Sequence, residues 1–370
     1  MPDFSIAPEP LEHWVRDLFA AAGSGAREAE LTAHHLVLAN LSGHDSHGVG
    51  MVPRYVDSWL AGQLKLNRRI EIVKDAGALL TIDAKRGMGQ SVTHQAMNEA
   101  IARVREHGVC VMGLRNAHHL GRVGHWAEMA IDAGLVSIHF TNAVSNPVVA
   151  PHLGAQARFV TNPFTVGIPR KGREPLLLDF ATSAIAAGKV RVAYNKGVPV
   201  PPASLIDHAG APTDDASVLF EPPLGALLTF AGHKGYALAM VCELLGAALT
   251  GGETTLPDTA GKTPAVWNSM LTIVFDPAKI GSLADFEKSA ATFEDWVKSA
   301  PLAPGADRIR MPGDPERESR AARAHGIAID AQTLAQLDAS AGKVAAQAAP
   351  GTPASKAAGL VALSTLGKGA

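Results

Sequence analysis

Cysteine is nearly missing from this sequence: Cys110 and Cys242 are the two in 370 residues. A small secreted scaffold would carry more of them at paired spacings, so the usage points to a reducing, cytoplasmic setting. Both lie among apolar neighbours and read as small core residues. Blocks of basic residues are also missing, and 33 Lys and Arg against 35 Asp and Glu leave a formal net charge of −2. That balance argues against nucleic acid or an anionic membrane as a partner. The longest apolar run, Tyr236 to Leu249, is too short to span a bilayer and contains Glu243. The opening residues Met1 to Pro10 lack a basic region and an apolar region, so no signal peptide is expected. No internal repeat is evident.

Several catalytic signatures are missing too. A dinucleotide fingerprint needs Gly-x-Gly-x-x-Gly after a strand, with an acidic residue about 20 positions later. The nearest candidates, Gly87-Met-Gly89-Gln-Ser-Val92 and Gly23-Ser-Gly25, do not complete it. A nicotinamide site, if present, therefore belongs to a fold other than the doubly wound one. No Gly-x-Ser-x-Gly elbow supports a serine hydrolase. No His-Glu-x-x-His or Cys-x-x-Cys supports a metal, although His44-x-x-His47 and His118, His119 and His125 offer imidazoles at ligand-like spacing.

What is present suits a globular enzyme. Apolar residues make up 47% and charged residues 18%, and the length allows two or three domains. Helical periodicity predicts two helices over 9–42, a third from Pro53 to about Leu64, and others over 90–107, 125–133, 236–249, 283–299 and 331–341. Strand-like stretches fall at 70–83, 109–114, 135–140, 159–169, 175–180, 203–207 and 270–275, with a turn at 210–213. This mix reads as α/β or α+β. From about Gly342 the composition shifts to Ala, Gly, Pro, Ser, Thr and Lys, which reads as a weakly ordered tail interrupted by a short Leu-Val-Ala-Leu patch.

Fifteen histidines are present, several in polar, glycine-rich junctions. His44-Asp45-Ser46-His47-Gly48 follows a helix, Asn116-Ala117-His118-His119-Leu120-Gly121 follows a strand, and His233-Lys234-Gly235 opens a helix. Loops held by rigid elements favour catalytic groups, and an imidazole exchanges a proton near neutral pH. For His47 the alternative is a solvated residue after a glycine helix stop. For His119 it is a loop histidine bonded to backbone. Helix N-termini hold phosphate, and two are candidates. One follows Gly232. The other follows Gly313, with Asp314 as N-cap and Pro315 as first helical residue. Plain capping explains both equally well, and capping is also the alternative for Asp179 at a strand end.

Seven motifs stand in a familiar order and spacing: Ser46-His47-Gly48, Pro53-Arg54-Tyr55, Asn116 to Gly121, Thr161-Asn162-Pro163-Phe164, Asp179 to Ser183, Gly188-Lys189 and Lys234-Gly235. Across about residues 5 to 340 the chain resembles the type 2 malate/L-lactate dehydrogenase family. The resemblance implies an α/β, mixed α+β fold that is not the Rossmann one. It has a central mixed or largely antiparallel sheet with a flanking helical domain. A helical part over 1–75 would pack with 300–342, and 76–299 would hold the cofactor and the substrate cleft in two subdomains, leaving 343–370 as the tail.

The resemblance also implies hydride transfer between NAD, with NADP as the alternative, and a 2-oxo or 2-hydroxy acid, in a homodimer. His119, His47 and Ser46 would be catalytic, with His119 or His47 as proton donor. Arg54, Thr161 and Lys189 would bind substrate. Cofactor contacts would come from His47, Gly121, Arg122 and Val123, from Leu177, Leu178, Asp179, Phe180 and Ala181, and from His233, Asn268, Gly313, Asp314, Pro315 and Glu316. No metal is implied. In one respect the chain departs from the pattern. Many relatives carry arginine four residues after the motif histidine, a bidentate clamp for a carboxylate, and here that position is Met51. The clamp then passes to Arg54, Arg122 or Lys189, and a more apolar pocket wall suits larger or aromatic 2-oxo acids such as phenylpyruvate. Two other readings stand beside this one: a histidine-based metal hydrolase or lyase, and a catalytically idle relative that binds the cofactor.

Overall fold

The computed structural model describes residues 4–258, 264–347 and 362–366. The first third contains β1 (Phe4–Ile6), α1 (Pro8–Ala21), α2 (Ala26–Leu41), α3 (Val52–Leu60), β2 (Glu71–Ala76), β3 (Leu79–Asp83), α4 (Gly89–His107), β4 (Val109–His118) and α5 (Gly124–Asp132). The middle contains β5 (Val136–Val144), β6 (Pro163–Ile168), β7 (Leu176–Ala181), α6 (Ala187–Lys196), β8 (Leu205–Ile206), β9 (Pro212–Thr213), β10 (Ala226–Leu227) and α7 (His233–Glu243). The remainder contains β11 (Trp267–Phe275), α8 (Leu283–Lys298), α9 (Asp314–Ala322), β12 (Ile327–Ile329), α10 (Ala331–Ala345) and α11 (Leu363–Leu366).

A seven-stranded sheet in the order β2-β3-β4-β11-β5-β6-β7 forms the centre. Every pairing in it is antiparallel except β3 with β4. A doubly wound dinucleotide fold needs a parallel sheet, so this is the non-Rossmann, largely antiparallel architecture. Side chains alternate between the faces of a strand. Met112 and Leu114 of β4, with Met270 and Val274 of β11, form one core with α4 and α5. Gly113 faces the other way, where an added Cβ would meet Thr250 at 2.9 Å. Beyond β7, the three-stranded sheet β10-β8-β9 and α6 share a separate small core around Val149, Val190 and Leu205.

The two ends of the chain build one helical core. β1 pairs antiparallel with β12, placing Phe4 opposite Ile329. Leu11, Trp14, Val15 and Leu18 give α1 a buried stripe at helical spacing, and α10 meets it with Leu334, Leu337 and Val344. Leu363 is fully buried in the same core, and its N–H donates to the Asp338 carboxylate at 2.9 Å. The stretch expected to be a loose tail therefore includes a seated turn. Residues 348–361 and 367–370, the rest of it, lie outside the described residues.

Three boundaries differ from expectation. β4 runs on to His118 rather than stopping at Leu114, because it keeps pairing with β11 across a bulge between Asn268 and Met270. The strand expected over 159–169 begins at Pro163, because the Asn162 side chain, rather than backbone, accepts the Ala143 N–H at 3.0 Å. Gly313, not Asp314, is the N-cap of α9. The Asp314 carboxylate instead accepts from Met311 N at 2.8 Å and from Arg317 at 2.7 Å.

Candidate active site

The turn after α2 carries the first imidazole. Past Gly43 the residues Asp45–His47 form one 3-10 turn, and Asn40 braces it from both sides. The Asn40 amide donates to Asp45 at 2.7 Å, and its carbonyl oxygen accepts from Val49 N at 2.8 Å. Ser46 Oγ lies 3.0 Å from His47 Nδ1. The His47 ring stacks on the ring of His119, which directly follows β4, with centroids 5.5 Å apart and planes 18° apart.

α3 and α4 hold His119 from behind. Tyr55 Oη is 2.7 Å from His119 Nδ1, and the Gln90 amide donates to Tyr55 Oη at 2.9 Å. Gln90 gets this close because its neighbour is glycine: a Cβ on Gly89 would sit 2.0 Å from the His119 carbonyl oxygen. His118 points elsewhere. It is fully buried against the edges of Tyr55 and Trp267, and neither ring nitrogen has a partner.

The segment after His119 is fixed by its neighbours. Asn268 of β11 accepts from Leu120 N at 2.9 Å and donates to the Asn142 carbonyl at 2.7 Å. Gly121 has φ +74, and a Cβ there would lie 2.2 Å from His35 Nε2. That same nitrogen accepts from Arg122 N at 2.9 Å. Val123 is buried and joins the core formed with α4 and α5.

Arg122 and Asp179 are the buried charges. Arg122 pairs with Glu128, which also takes Arg320. Its Nη1 lies 3.9 Å from Asp179 and has no hydrogen-bond partner. Asp179 caps α5 by accepting from Gly124 N at 2.9 Å, and it accepts from the Thr165 hydroxyl at 2.8 Å. This engaged guanidinium is poorly placed to replace an arginine at position 51. Met51 itself is half-buried and packs in part against the N-terminal helical core.

Leu177 to Ala181 lie on the outer strand of the large sheet. Leu177 N donates to the Pro312 carbonyl at 3.2 Å, and a Cβ on Gly313 would meet Leu177 at 3.3 Å. Glu316 lies one turn into α9, after Pro315, and reaches His44 at 3.2 Å. The expected segments 44–47, 119–122, 177–181 and 313–316 are thus joined by direct contacts. Leu178 is half-exposed, and Phe180 packs edge-on against Phe230 at 5.3 Å.

The remaining candidates are more scattered. Arg54 sits beside Tyr55 and donates to Ser145 Oγ and to the Pro264 carbonyl, both at 2.7 Å. The Thr161 carbonyl accepts from Thr182 N at 3.0 Å and from the Thr182 hydroxyl at 3.1 Å. Lys189 is exposed on α6, whose Gly188 lies so near Ser46 that a Cβ would approach it to 2.7 Å. His233 faces His152 at 5.9 Å, and no contact joins it to the stacked pair among the described residues. Tyr55 stood in a recognised motif without a role, and Gln90 stood in the incomplete glycine pattern.

Burial sets the electrostatics. It lowers His47 to about 4. Repulsion from His44 adds to this, and Asp179 opposes it. Burial also holds His119 well below the usual imidazole range, with His47, His118 and Arg54 contributing. Tyr55 is pushed up by burial and stays a neutral phenol. At neutral pH the two stacked rings are therefore uncharged: each can accept a proton, and each can donate a hydrogen bond. Among the described residues no group of three or more His, Cys, Asp or Glu side chains converges to hold a metal ion. No helix among them is long and apolar enough to cross a membrane.

The sequence model of the malate/L-lactate dehydrogenase family matches residues 6–338. Hydroxycarboxylate dehydrogenase B of Escherichia coli (strain K12) is 49% identical over 325 residues, covering 87% of this chain and 90% of that protein. L-lactate dehydrogenase of Cupriavidus necator is 42% identical, covering 83% of this chain and 88% of its own length. The structure of sulfolactate dehydrogenase from Methanocaldococcus jannaschii superposes with a TM-score of 0.83 at 30% identity, covering 92% of this chain and 97% of that one.

Proposed function

This chain belongs to the malate/L-lactate dehydrogenase family, and we propose that it transfers a hydride between NAD(P)H and a small 2-oxo acid to give the 2-hydroxy acid. The observation that carries the reading is the stacked pair His47 and His119, two neutral imidazoles with their planes 18° apart, of which His119 is held from behind by Tyr55. The relatives are named for hydroxycarboxylates, L-lactate and sulfolactate, and the last two are 2-hydroxy acids.

The surroundings fit a nicotinamide dinucleotide. An outer strand offers apolar Leu178 and Phe180. Arg122 keeps one unpartnered N–H beside Asp179, and the N-terminus of α9 follows Gly313 without a side-chain cap. Gly121, Arg122, Leu177 to Ala181, Asn268 and Gly313 to Glu316 would hold the cofactor, which supplies or accepts the hydride when bound. NAD is the first choice and NADP the alternative.

The protein's own part is the proton. Reduction places charge on the carbonyl oxygen, and an imidazolium, formed when the ring takes up a proton from solvent, gives that proton to the oxygen and returns to the neutral ring. His119 is our first assignment for this donor, with His47 and Ser46 orienting substrate; His47 is the second. Arg54, next to Tyr55, is the cation best placed to meet the substrate carboxylate, with Thr161 and Lys189 at the rim. The absence of a guanidinium at position 51 favours larger or aromatic 2-oxo acids such as phenylpyruvate over malate's dicarboxylate partner. The protein works as a cytoplasmic homodimer. Phe293 and Trp296, 62% and 70% exposed on α8, are apolar surface of the kind association covers.

A substrate panel tests the reading. Oxidation of NADH and NADPH is followed with pyruvate, oxaloacetate and phenylpyruvate. Turnover fastest with phenylpyruvate is expected. A strong preference for oxaloacetate would defeat the substrate assignment, and sedimentation as a monomer would defeat the dimer.

A further inference from the structure

We propose that Tyr55 and Gln90 are positioning residues that lock the neutral ring of His119 in the tautomer whose proton is on Nε2, so that the cleft meets an N–H donor. This rests on the dehydrogenase reading for its meaning in turnover, though not for its test.

The Gln90 amide nitrogen lies 2.9 Å from Tyr55 Oη and 3.4 Å from the His119 carbonyl oxygen. Turning the amide over would set its oxygen against that carbonyl, so the nitrogen is fixed as the group facing both. Tyr55 Oη therefore receives a hydrogen bond from Gln90. Its own single proton then goes to the remaining partner, His119 Nδ1, at 2.7 Å. A neutral ring that accepts at Nδ1 carries its proton on Nε2. His119 Nε2 makes no hydrogen bond among the described residues. It is also not among the sealed, unpartnered atoms, unlike both nitrogens of His118, so it is left to the cleft.

The lock has a direction. An Nε2–H donor suits the carbonyl oxygen of a 2-oxo acid. A free Nε2 base, which would suit the hydroxyl of a 2-hydroxy acid, needs Nδ1–H, and that forces Tyr55 to give up its own donor role. The pair is uncharged, so it does not stabilise an imidazolium as a carboxylate would. The ionisable groups facing His119 are His35 from α2, His47 from the turn after it, Arg54 and Tyr55 from α3, and His118 from β4; α4 contributes uncharged Gln90 and β11 uncharged Asn268. None of them supplies a negative charge to the ring while Tyr55 keeps its proton.

Gln90→Glu reverses the pattern. A carboxylate there accepts the Tyr55 proton, Tyr55 then accepts from Nδ1–H, and Nε2 becomes the free nitrogen. Tyr55→Phe removes the lock at nearly constant volume. The test uses the full chain labelled with ¹⁵N-histidine and free of ligands, with the His119 signals identified by their loss in His119→Asn. Wild type is expected to show neutral Nε2–H at pH 7.5, Gln90→Glu to show Nδ1–H or a doubly protonated ring, and Tyr55→Phe to show both tautomers. In turnover, Gln90→Glu is expected to raise KM for the 2-oxo acid relative to the 2-hydroxy acid by about tenfold, the size of one hydrogen bond. Nδ1–H in wild type, or an unchanged tautomer in both variants, would overturn the proposal. If Gln90→Glu does not fold, Tyr55→Phe decides alone. The expected tautomers without turnover on any acid would uphold the lock and count against the dehydrogenase reading.

Discussion

Replacing Gly121 by alanine perturbs the residue that directly precedes the buried Arg122, two positions after His119. Two costs follow from the structure. An L side chain at φ +74 is strained by roughly 1–2 kcal/mol. The new Cβ would also stand 2.2 Å from His35 Nε2 and 2.6 Å from its Cδ2. His35 has little room to withdraw, being 2% exposed, packed at a tilt against Trp126 at 5.1 Å and bonded to Arg122 N. Forcing a methyl into such packing costs about 1–3 kcal/mol, so the loss should total about 2–5 kcal/mol. Gly134 is the control. Its φ is +76, but its Cβ direction is open, so Gly134→Ala should cost the backbone strain alone, roughly 1–2 kcal/mol. Thermal unfolding of both variants, with cofactor titration by fluorescence, makes the comparison. Gly121→Ala should unfold at the lower temperature and bind the cofactor more weakly, while Gly134→Ala should keep its affinity. Equal destabilisation, or unchanged affinity in Gly121→Ala, would refute the reasoning.

Further outcomes follow from the same structure. The fold lowers His47 and His125 to about 4 and His118 and His139 to about 3, against an ordinary 6.5. The unfolded chain therefore binds more protons between those values. Stability is whole above about pH 6.5 and falls as pH drops towards 4, so denaturant midpoints at pH 7.5 and 4.5 should differ in that sense. Met51→Arg should raise kcat/KM for oxaloacetate relative to phenylpyruvate by about tenfold, the value of one charged hydrogen bond; an unchanged ratio would show that position 51 does not reach the substrate. Leu363→Ala should cost about 2 kcal/mol or more, because the side chain is fully buried in the helical core; an unchanged melting temperature would detach that turn from the core.

The legible part of this protein lay in local chemistry. Histidines beside glycine and serine marked 44–48 and 116–121, and the structure stacks His47 on His119. The departure from a dinucleotide fingerprint agreed with an antiparallel sheet. Tyr55 and Gln90 were not legible as partners of His119. They stand 64 and 29 residues away from it, and nothing in periodicity says that α3 and α4 cross behind it. The incomplete glycine pattern at 87–89 did hold a signal, since Gly89 is what lets α4 rest on the His119 carbonyl. Asp314 looked like an N-cap by residue type. Gly313, at φ +94, takes that place, and its backbone geometry is invisible in a one-letter string.

The central proposal is that His119 handles the proton in hydride transfer. The most direct measurement is the loss of NADH and NADPH absorbance with a panel of 2-oxo acids, run on wild type, His119→Ala and His47→Ala, with cofactor binding measured separately on each. The account predicts turnover by wild type and its loss in His119→Ala by at least about a hundredfold, as for removal of a positioned general acid, with cofactor binding retained. Full activity in His119→Ala, or no cofactor binding by the wild-type protein, would contradict it.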